Sequence, residues 1–423
     1  MSVTLTYQVH WTKGHIVKPD RRNPVFARRA GGLRASEIRE LLKLLDRPGM
    51  LSFAGGIPDP SLFPLDAFRH AFAQALAENG GALQYSTSEG HPPLRDWIAR
   101  RMSTLGIGCS EDNILITHGS QQALDLIGKL FVDPASPLVT EAPTYLGALQ
   151  SFSAFEPDFA TVRFRDGRAE TNASAARLIY LIPDFANPTG ATLPLGARKS
   201  ALDLARRTGA VVVEDAAYSD LRYDGDGLPA IAALDIAQSG SLDAARTLYC
   251  GTFSKTLSPG LRVGWICGPA RLVRRLTLVK QAADLHTATV NQEAVHRVAA
   301  DHFDRAVRQA RAVYAGRRDA MIAALERHAP QGVGWTTPAG GLFVWLTLPP
   351  PLDSGALLDK AIARNIAFVP GSAFFADGGG AGHLRLSFSL LGEEAIARGV
   401  EALCRLIADE LRQGGEPKAA HRA

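Results

Sequence analysis

The sequence predicts an α/β protein whose mostly parallel sheet carries helices on both faces, followed by a smaller α+β domain. Three observations lead to this prediction. The chain of 423 residues exceeds the roughly 250–300 residues at which one hydrophobic core stops growing, so we expect two domains. Short runs rich in Val, Ile and Leu alternate with helical stretches through residues 61–304. Beyond about Arg305 apolar residues instead alternate with polar ones, which is typical of a sheet with one open face.

Residues 1–34 are rich in Lys and Arg, with Asp20 as their only acid. Pro19 and Pro24 and the lack of an amphipathic pattern argue against a transit peptide, so we expect an irregular arm. From Ala35 the stretch ASEIRELLKLL has the apolar spacing of a helix. Ser36 is a candidate N-cap for this helix.

Six short runs then predict the strands of the large domain: NILITH, PLVTEA, LIYLIP, AVVVED, TLYCGT and RVGWIC. Each run is apolar without strict alternation, as in strands that are buried on both faces of a parallel sheet. Helical stretches such as PLGARKSALDLARR lie between several of them, which indicates βαβ units.

After about Arg305 a long helix rich in Ala and Arg leads to GWTTPAGGLFVWLTLP, IAFVPG and HLRLSFSL, which we interpret as strands of the second domain. A last helix is expected from about Gly392 to Arg412, and a disordered tail over residues 414–423.

Composition excludes several classes of function. With 46% hydrophobic and 21% charged residues the chain has an ordinary globular composition, and its net charge of +4 is dispersed, so we expect no nucleic-acid partner. The four cysteines are far apart and form no C-x-x-C pair, which argues against a metal site and against disulfides. We find no apolar run of membrane-spanning length and no signal-peptide pattern, so a cytoplasmic location is expected.

Ligands of open α/β sheets bind beyond the carboxyl ends of the strands. After NILITH, the residues from Gly119 to Gln122 open a helix whose N-terminus could bind an anion, although such turns are also common helix caps. After LIYLIP, Asn187 could donate a hydrogen bond to a ligand oxygen, although Asn-Pro-Thr-Gly also suits a simple turn.

Glu214 and Asp215 follow the apolar run AVVV, with Tyr218 close behind. Buried carboxylates are costly unless they are paired, so a protonated ring nitrogen is a plausible partner and a solvated strand end is the alternative. Tyr145 follows PLVTEA, where its ring could stack on a flat heterocycle or belong to the core.

Lys255 follows TLYCGT and is either a solvated cap or a buried amine. Burial would lower its pKa, as a Schiff-base lysine requires. Hydroxyls at Thr252 and Ser254, with Arg262, could bind a phosphate. In the second domain, Arg385 on the predicted open face is either a surface charge or a fork for a carboxylate.

Taken in order, these residues resemble the fold-type-I pyridoxal-phosphate-dependent aminotransferases of class I/II. The resemblance is closest to the branch of 2-aminoadipate and broad-specificity aromatic and aliphatic aminotransferases, and it extends from about Ala35 to Leu411. The motifs that carry it are ASEIREL, SFAGGIP, LQYSTSEG, GSQQALDL, EAPTY, ANPTG, VVVEDAAY, FSKTLSPGLRVG, ADLHT and GGLFVW.

The resemblance implies a large cofactor-binding domain over residues 61–304 with a seven-stranded-type sheet, and a small domain over residues 35–60 and 305–413. It also implies pyridoxal 5'-phosphate, no metal, and a homodimer in which Tyr85 reaches the cofactor phosphate of the other subunit.

The resemblance further implies roles for particular residues. Lys255 would carry the cofactor as a Schiff base, Asp215 would keep the ring nitrogen protonated, and Asn187 with Tyr218 would bond the phenolic oxygen. Tyr145 would lie against the ring. The phosphate would be held by Ser120, Gln121, Thr252, Ser254 and Arg262. Position 252 is usually Ser in the family, so the added methyl puts that contact in doubt.

For the substrate, Arg385 would clamp the α-carboxylate, with Asn187 and Gly56 beside it. In 2-aminoadipate-type relatives a Ser and an Arg of the first helix meet the substrate side chain, and Ser36 and Arg39 match them here. A solvated helix charge is the alternative for Arg39, since Glu37 and Glu40 lie beside it.

The expected reaction is a ping-pong transfer of the amino group of an L-amino acid of 2-aminoadipate, aromatic or branched aliphatic type to 2-oxoglutarate or another 2-oxo acid. Two alternatives remain at this point. One is a lyase or decarboxylase that uses the same cofactor, and the other is an aminotransferase-like domain that serves as a ligand sensor.

Overall fold

All six runs predicted in the large domain form strands. The computed structural model describes residues 26–32, 47–78 and 80–415. In chain order the strands of this part are β1 (Leu51–Ser52), β2 (Ile114–Thr117), β3 (Pro137–Glu141), β4 (Asp158–Arg165), β5 (Arg168–Glu170), β6 (Leu178–Leu181), β7 (Val211–Asp215), β8 (Thr247–Thr252), β9 (Gly264–Cys267), β10 (Gly334–Trp335), β11 (Phe343–Thr347), β12 (Ile366–Ala367), β13 (Val369–Pro370) and β14 (His383–Ser387).

The α-helices of the same described part are α1 (Leu65–Glu78), α2 (Pro92–Thr104), α3 (Gly119–Phe131), α4 (Leu146–Ser153), α5 (Leu195–Thr208), α6 (Ile231–Ser239), α7 (Ala270–Asp284), α8 (Thr289–His328), α9 (Ser354–Ala363) and α10 (Glu393–Gly415). Helix α5 matches the predicted PLGARKSALDLARR helix and ends at Gly209, whose φ of +77° closes the helix in the left-handed region. The predicted first helix, with Ser36 as its N-cap, lies outside the described residues.

The large sheet has the strand order β2-β9-β8-β7-β6-β3-β4-β5. Strands β4, β3, β6, β7 and β8 run parallel, whereas β9 is antiparallel to both of its neighbours. The described sheet therefore has eight strands rather than seven, because β5 adds a short antiparallel edge next to β4. The fold class is the predicted one, and β4 and β5 are strands that the apolar runs did not reveal.

Both faces of this sheet are covered. Leu178 and Tyr180 of β6 pack in the cluster that contains α3, whereas Ile179 and Leu181 pack in the cluster that contains α5. Every residue of β6 is buried, which is why its sequence shows no alternation.

The second sheet has the antiparallel order β10-β11-β14-β13, and β1 pairs separately with β12. We expected one open face here, and that expectation was wrong. Arg385 and its neighbours in β14 are all buried, because the segment before α1 lies against this strand: the Ser387 backbone N–H bonds the Phe53 carbonyl at 2.9 Å.

Two predicted boundaries can be compared with the helices of the structure. Residues 304 and 305, the proposed end of the large domain, lie inside the continuous 40-residue helix α8. The last helix continues to Gly415, beyond the predicted Arg412, and residues 416–423 lie outside the described part. The proposed division into domains remains a prediction.

Candidate active site

The polar strand-end residues surround one cavity at the carboxyl edge of the parallel strands. The cavity has a volume of about 270 Å³, close to the lower end of the range typical of small-molecule sites. The predicted residues that line it are Ser120, Gln121, Tyr145, Asp215, Tyr218, Thr252, Ser254, Lys255 and Arg262. Ile182, Ala217 and Pro259 also line it, and sequence reasoning did not single them out.

Lys255 lies just after β8, and its half-buried side chain lines the cavity. Its Nζ donates a hydrogen bond to the Gly56 carbonyl at 2.9 Å. Burial, followed by repulsion from Arg385 and Arg262, lowers the pKa of Lys255 to about 8, although Asp215 acts in the opposite direction. An amine with this pKa is partly neutral near pH 7, so it can act as a nucleophile or a base.

Asp215, at the end of β7, is a buried carboxylate with 2% of its surface exposed. Burial raises its pKa to about 6, and hydrogen bonds from Tyr180 and from the Ala217 backbone oppose this shift. The Tyr180 hydroxyl donates to Asp215 Oδ2 at 2.7 Å. Sequence reasoning missed Tyr180, although a tyrosine within an apolar buried strand needs a partner for its hydroxyl.

The neighbouring Glu214 points to the other face of the sheet. Its two carboxylate oxygens accept the backbone N–H groups of Ile231 and Ala232 at 2.8 Å each, at the start of α6. Burial raises its pKa to about 7. Of the two strand-end carboxylates, Glu214 caps a helix and Asp215 faces the cavity.

Asn187 and Tyr218 lie together beside Asp215. Both are buried, and the Tyr218 hydroxyl is hydrogen-bonded to Asn187, although burial still raises the pKa of Tyr218 well above its usual value. The edge of the Tyr218 ring meets Phe343 with centroids 5.7 Å apart. The two side chains can therefore bond a common oxygen in the cavity.

The start of α3, together with the turn after β8, can bind an anion. No side chain caps α3 at His118, so its first-turn N–H groups remain available. Ser254 N–H donates to Thr252 Oγ1 at 3.1 Å, and Thr252 Oγ1 lies 2.8 Å from Ser254 Oγ. We call these groups, together with Arg262, the phosphate end of the cavity.

Arg262 and Gly119 meet at the phosphate end. Arg262 Nη2 donates to the His118 carbonyl at 3.1 Å. Gly119 has φ +73°, and a Cβ there would lie 2.5 Å from Arg262 Nη2. Only glycine therefore suits this position.

Gln121 contributes differently from what the sequence predicted. Its Nε2 donates to the Gly147 carbonyl at 2.9 Å and to Ser151 Oγ at 2.6 Å. Its Oε1 accepts a bond from the Tyr145 hydroxyl at 3.3 Å. The side chain therefore fixes Tyr145, and its backbone N–H is the group left for an anion.

Beside the cavity, the buried Arg385 interacts electrostatically with Lys255 and Tyr218 of the lining, and we call this side the carboxylate end. Its Nη1 donates to Asn187 Oδ1 at 2.7 Å and its Nη2 donates to the Ala54 carbonyl at 2.5 Å. The guanidinium lies 4.2 Å from the centroid of Phe343 and 5.1 Å from that of Phe374. Burial lowers the pKa of Arg385 to about 10. It is therefore a buried fork and not a surface charge.

Among the described residues, the predicted Tyr85, Asn187, Arg385 and Gly56 do not line the cavity. Tyr85 is 79% exposed, and its ring meets the edge of the His286 ring at 5.9 Å. Ser36 and Arg39 lie outside the described residues. Gly56 takes part through its carbonyl, which accepts from Lys255.

The cavity fits pyridoxal 5'-phosphate. An uncapped helix start and Arg262 suit the phosphate, the buried Asp215 suits a protonated ring nitrogen, and a low-pKa amine suits an aldehyde. Within the described ranges no His, Cys, Asp and Glu cluster could hold a metal ion. Among the helices of the same residues, none is long and apolar enough to cross a bilayer.

Known proteins resemble this chain over nearly its whole length. A family model described as aminotransferase class I and II matches residues 50–403. The chain is 44% identical to the 2-aminoadipate transaminase of Thermus thermophilus, over 92% of this chain and 98% of that protein. It is 39% identical to aromatic-amino-acid aminotransferase 1 of Thermococcus litoralis, over 92% and 95%.

Solved structures agree with these relatives. The crystal structure of LysN, the α-aminoadipate aminotransferase of Thermus thermophilus, complexed with N-(5'-phosphopyridoxyl)-L-leucine, has a TM-score of 0.84 and 42% identity. The match covers 92% of this chain and 98% of that chain.

Proposed function

The chain belongs to the class I and II aminotransferases, and within that family we propose that it transfers the amino group of an acidic, aromatic or branched aliphatic L-amino acid to 2-oxoglutarate or another 2-oxo acid. It is a pyridoxal-phosphate-dependent transferase. The names of its relatives support the donor classes, since one is a 2-aminoadipate transaminase and another an aromatic-amino-acid aminotransferase. The matches favour neither the lyase nor the sensor alternative.

The observation that carries the proposal is that Lys255, Asp215, Tyr218 and Tyr145 line one cavity at the carboxyl edge of the sheet. When bound, the cofactor supplies an electron sink for the electron pair of the bond that breaks at the substrate Cα. We assign its phosphate to Ser120, Thr252, Ser254, Arg262 and the Gln121 backbone, and its ring to Tyr145.

The remaining work is done by side chains of this chain. Asp215 stays ionised opposite the ring nitrogen, helped by the hydrogen bond from Tyr180. Arg385 binds the α-carboxylate and thereby orients the Cα–H bond toward Lys255. Lys255 Nζ would take the proton from Cα as a general base and, as a general acid, would deliver it to the cofactor carbon that carries the aldehyde.

The test is a donor panel assayed with 2-oxoglutarate: L-2-aminoadipate, L-phenylalanine, L-tyrosine and L-leucine. We expect a 2-oxo acid and L-glutamate to form in equal amounts, and Lys255→Ala to lower turnover by roughly 10⁴-fold or more. Lys129→Ala, on the exposed face of α3, is the matched control and should keep full turnover. Release of CO₂ or ammonia in place of L-glutamate would contradict the proposal.

We propose that Arg39 binds the side-chain carboxylate of acidic donors. Arg39→Ala should then lower kcat/KM for L-2-aminoadipate more than for L-leucine or L-phenylalanine, because only the acidic donor loses a charge-assisted hydrogen bond. Equal losses for all donors would assign Arg39 to the solvated helix surface instead.

A cytoplasmic homodimer completes the proposal. Large apolar side chains remain exposed on α1 and after it, among them Leu76 at 52%, Leu83 at 72% and Tyr85 at 79%. Such a patch suits a second copy of the chain, which would receive Tyr85 at its phosphate end. Sedimentation at micromolar concentration should give twice the monomer mass of 45.2 kDa, and a monomer would contradict this part.

A further inference from the structure

An ion pair whose lysine is buried and whose aspartate is 23% exposed lies at the end of α7, next to the phosphate end but outside the cavity. Lys280 Nζ lies 2.7 Å from Asp284 Oδ1 and 2.8 Å from Oδ2. The Lys280 side chain is fully buried. A second pair with the same i,i+4 spacing, Asp125 and Lys129 of α3, is about 40% exposed at both side chains. Because burying a charge is costly, a pair with a buried lysine at this place calls for a role that a surface pair does not have.

Asp284 reaches from α7 to the turn that opens α3. Its Oδ2 accepts a hydrogen bond from Gln122 Nε2 at 2.7 Å and lies 3.1 Å from His118 Nδ1. Gln122 Oε1 in turn accepts the His118 backbone N–H at 2.8 Å and lies 3.3 Å from Lys280 Nζ. The side chains of His118 and Gln122, which close this turn, therefore both bond to Asp284.

The same turn fixes Arg262. The His118 carbonyl accepts Arg262 Nη2 at 3.1 Å, and Gly119 leaves the space in which the guanidinium lies. Arg262 itself has φ +55°, a conformation that needs support from its surroundings. A shift of His118 would therefore move both the first N–H groups of α3 and the guanidinium.

We propose that Asp284, paired with Lys280, is a positioning residue for the cofactor phosphate: it touches neither cofactor nor substrate and holds the turn from which both the helix N–H groups and Arg262 reach the phosphate. The inference rests on the proposed phosphate role of Ser120 and Arg262. Burial alone would raise the pKa of Asp284, but hydrogen bonds from Lys280, Gln122 and His118 hold it below its usual value. Asp284 is therefore a carboxylate at neutral pH.

The test compares two aldehydes that differ only in the phosphate. The full chain is freed of cofactor and titrated with pyridoxal 5'-phosphate and with pyridoxal, following the visible absorbance of the bound aldehyde. For Asp284→Asn we expect the affinity for pyridoxal 5'-phosphate to fall about 10-fold, as for loss of a hydrogen bond to a charged group, while the affinity for pyridoxal stays the same. Asp125→Asn is the matched control and should bind both aldehydes as the unmodified chain does.

Equal losses for both aldehydes would mean a general structural role and would overturn the inference, as would no loss for either. If Asp284→Asn does not fold, because Lys280 is left buried without a counter-charge, Lys280→Met with Asp284→Asn removes that charge and undergoes the same test. Arg262→Ala distinguishes a failure of the proposed phosphate site from a failure of the proposed role of Asp284. Unchanged phosphate-dependent affinity in Arg262→Ala would refute the proposed phosphate end itself, whereas a loss there without a loss in Asp284→Asn refutes only the role of Asp284.

Discussion

Arg262 and Arg385 are the two arginines that we propose as anion ligands, and their surroundings are opposite. Arg262 is exposed and bonds the carbonyls of His118 and Pro259 at 3.1 Å each. Arg385 is 1% exposed, lies between Phe343 and Phe374, and has its pKa lowered to about 10 by burial. The proposed phosphate site is exposed and has several hydrogen-bond donors, whereas the proposed carboxylate site has one buried guanidinium.

Under the proposed function, the difference follows from how long each anion stays bound. A cofactor phosphate is held through every turnover, so several fixed backbone and hydroxyl donors can share it without burying a charge. A substrate carboxylate must bind and leave in each half-reaction and must also orient Cα. A buried, planar guanidinium gives that orientation. Asn187 and the Ala54 carbonyl accept from its two Nη groups, whereas its buried Nε has no hydrogen-bond partner among the described residues.

The largest expected effect is at the carboxylate end. Arg385→Ala should lower kcat/KM for every amino acid donor by about 10³-fold, which corresponds to about 4 kcal/mol, because truncating a buried hydrogen-bonded charge costs several kcal/mol. Cofactor affinity, measured by titration of the cofactor-free chain, should change by less than about 2-fold. A comparable loss of cofactor affinity would show that the two ends are not independent.

A smaller effect is expected at the phosphate end. Arg262→Ala should weaken pyridoxal 5'-phosphate binding by about 10- to 100-fold, since one of several charge-assisted contacts is lost. At saturating cofactor, kcat/KM for the donor should stay within about 3-fold of the unmodified enzyme. A large kinetic defect at saturation would mean that Arg262 also serves the substrate, and the contrast between the two ends would then be lost.

The sequence predicted the phosphate end more completely than the carboxylate end. Ser120 and Ser254 follow buried apolar runs, Thr252 ends one and Arg262 begins the next, and this local pattern is enough to place them at one edge of the sheet. Arg385 was also found, but its burial was not. It depends on contacts with Ala54 and Asn187, which lie 331 and 198 residues away along the chain.

Other features escaped prediction for the same physical reason. Strand β4 has partly exposed residues with Arg and Asp among them, so it lacks the apolar signal of the central strands. Asp284 bonds to residues up to 166 positions away along the chain. That Glu214 caps α6 is likewise visible only in the folded structure. Local patterns predict strands and strand ends, whereas side-chain partners across elements have no periodic signal in the sequence.

Lys255 lies between the two ends and should report on both. In the cofactor-free chain its acetylation by acetic anhydride, followed by peptide mass spectrometry, should have a midpoint near pH 8 rather than near 10.5. Removing a neighbouring cation relieves repulsion on the ammonium, so the midpoint should rise in both arginine variants. The rise should be larger in Arg385→Ala than in Arg262→Ala, because the repulsion from Arg385 is the larger of the two. The reverse order would mean that Arg262 repels the Lys255 ammonium more strongly than Arg385 does.

The smallest effect is expected at Thr252, where the family's usual serine lacks a methyl group. The hydroxyl of Thr252 is already fixed by local partners: it accepts the Ser254 backbone N–H at 3.1 Å and lies 2.8 Å from Ser254 Oγ. Serine keeps that oxygen and both bonds, so Thr252→Ser should change the affinity for pyridoxal 5'-phosphate by less than about 2-fold. Thr252→Val, which keeps the shape and removes the hydroxyl, should weaken it by about 5- to 10-fold. If the serine variant instead bound the cofactor 10-fold more tightly, the methyl group of Thr252 would be obstructing the phosphate. The phosphate end would then not tolerate small changes, and it would differ less from the site at Arg385 than we propose.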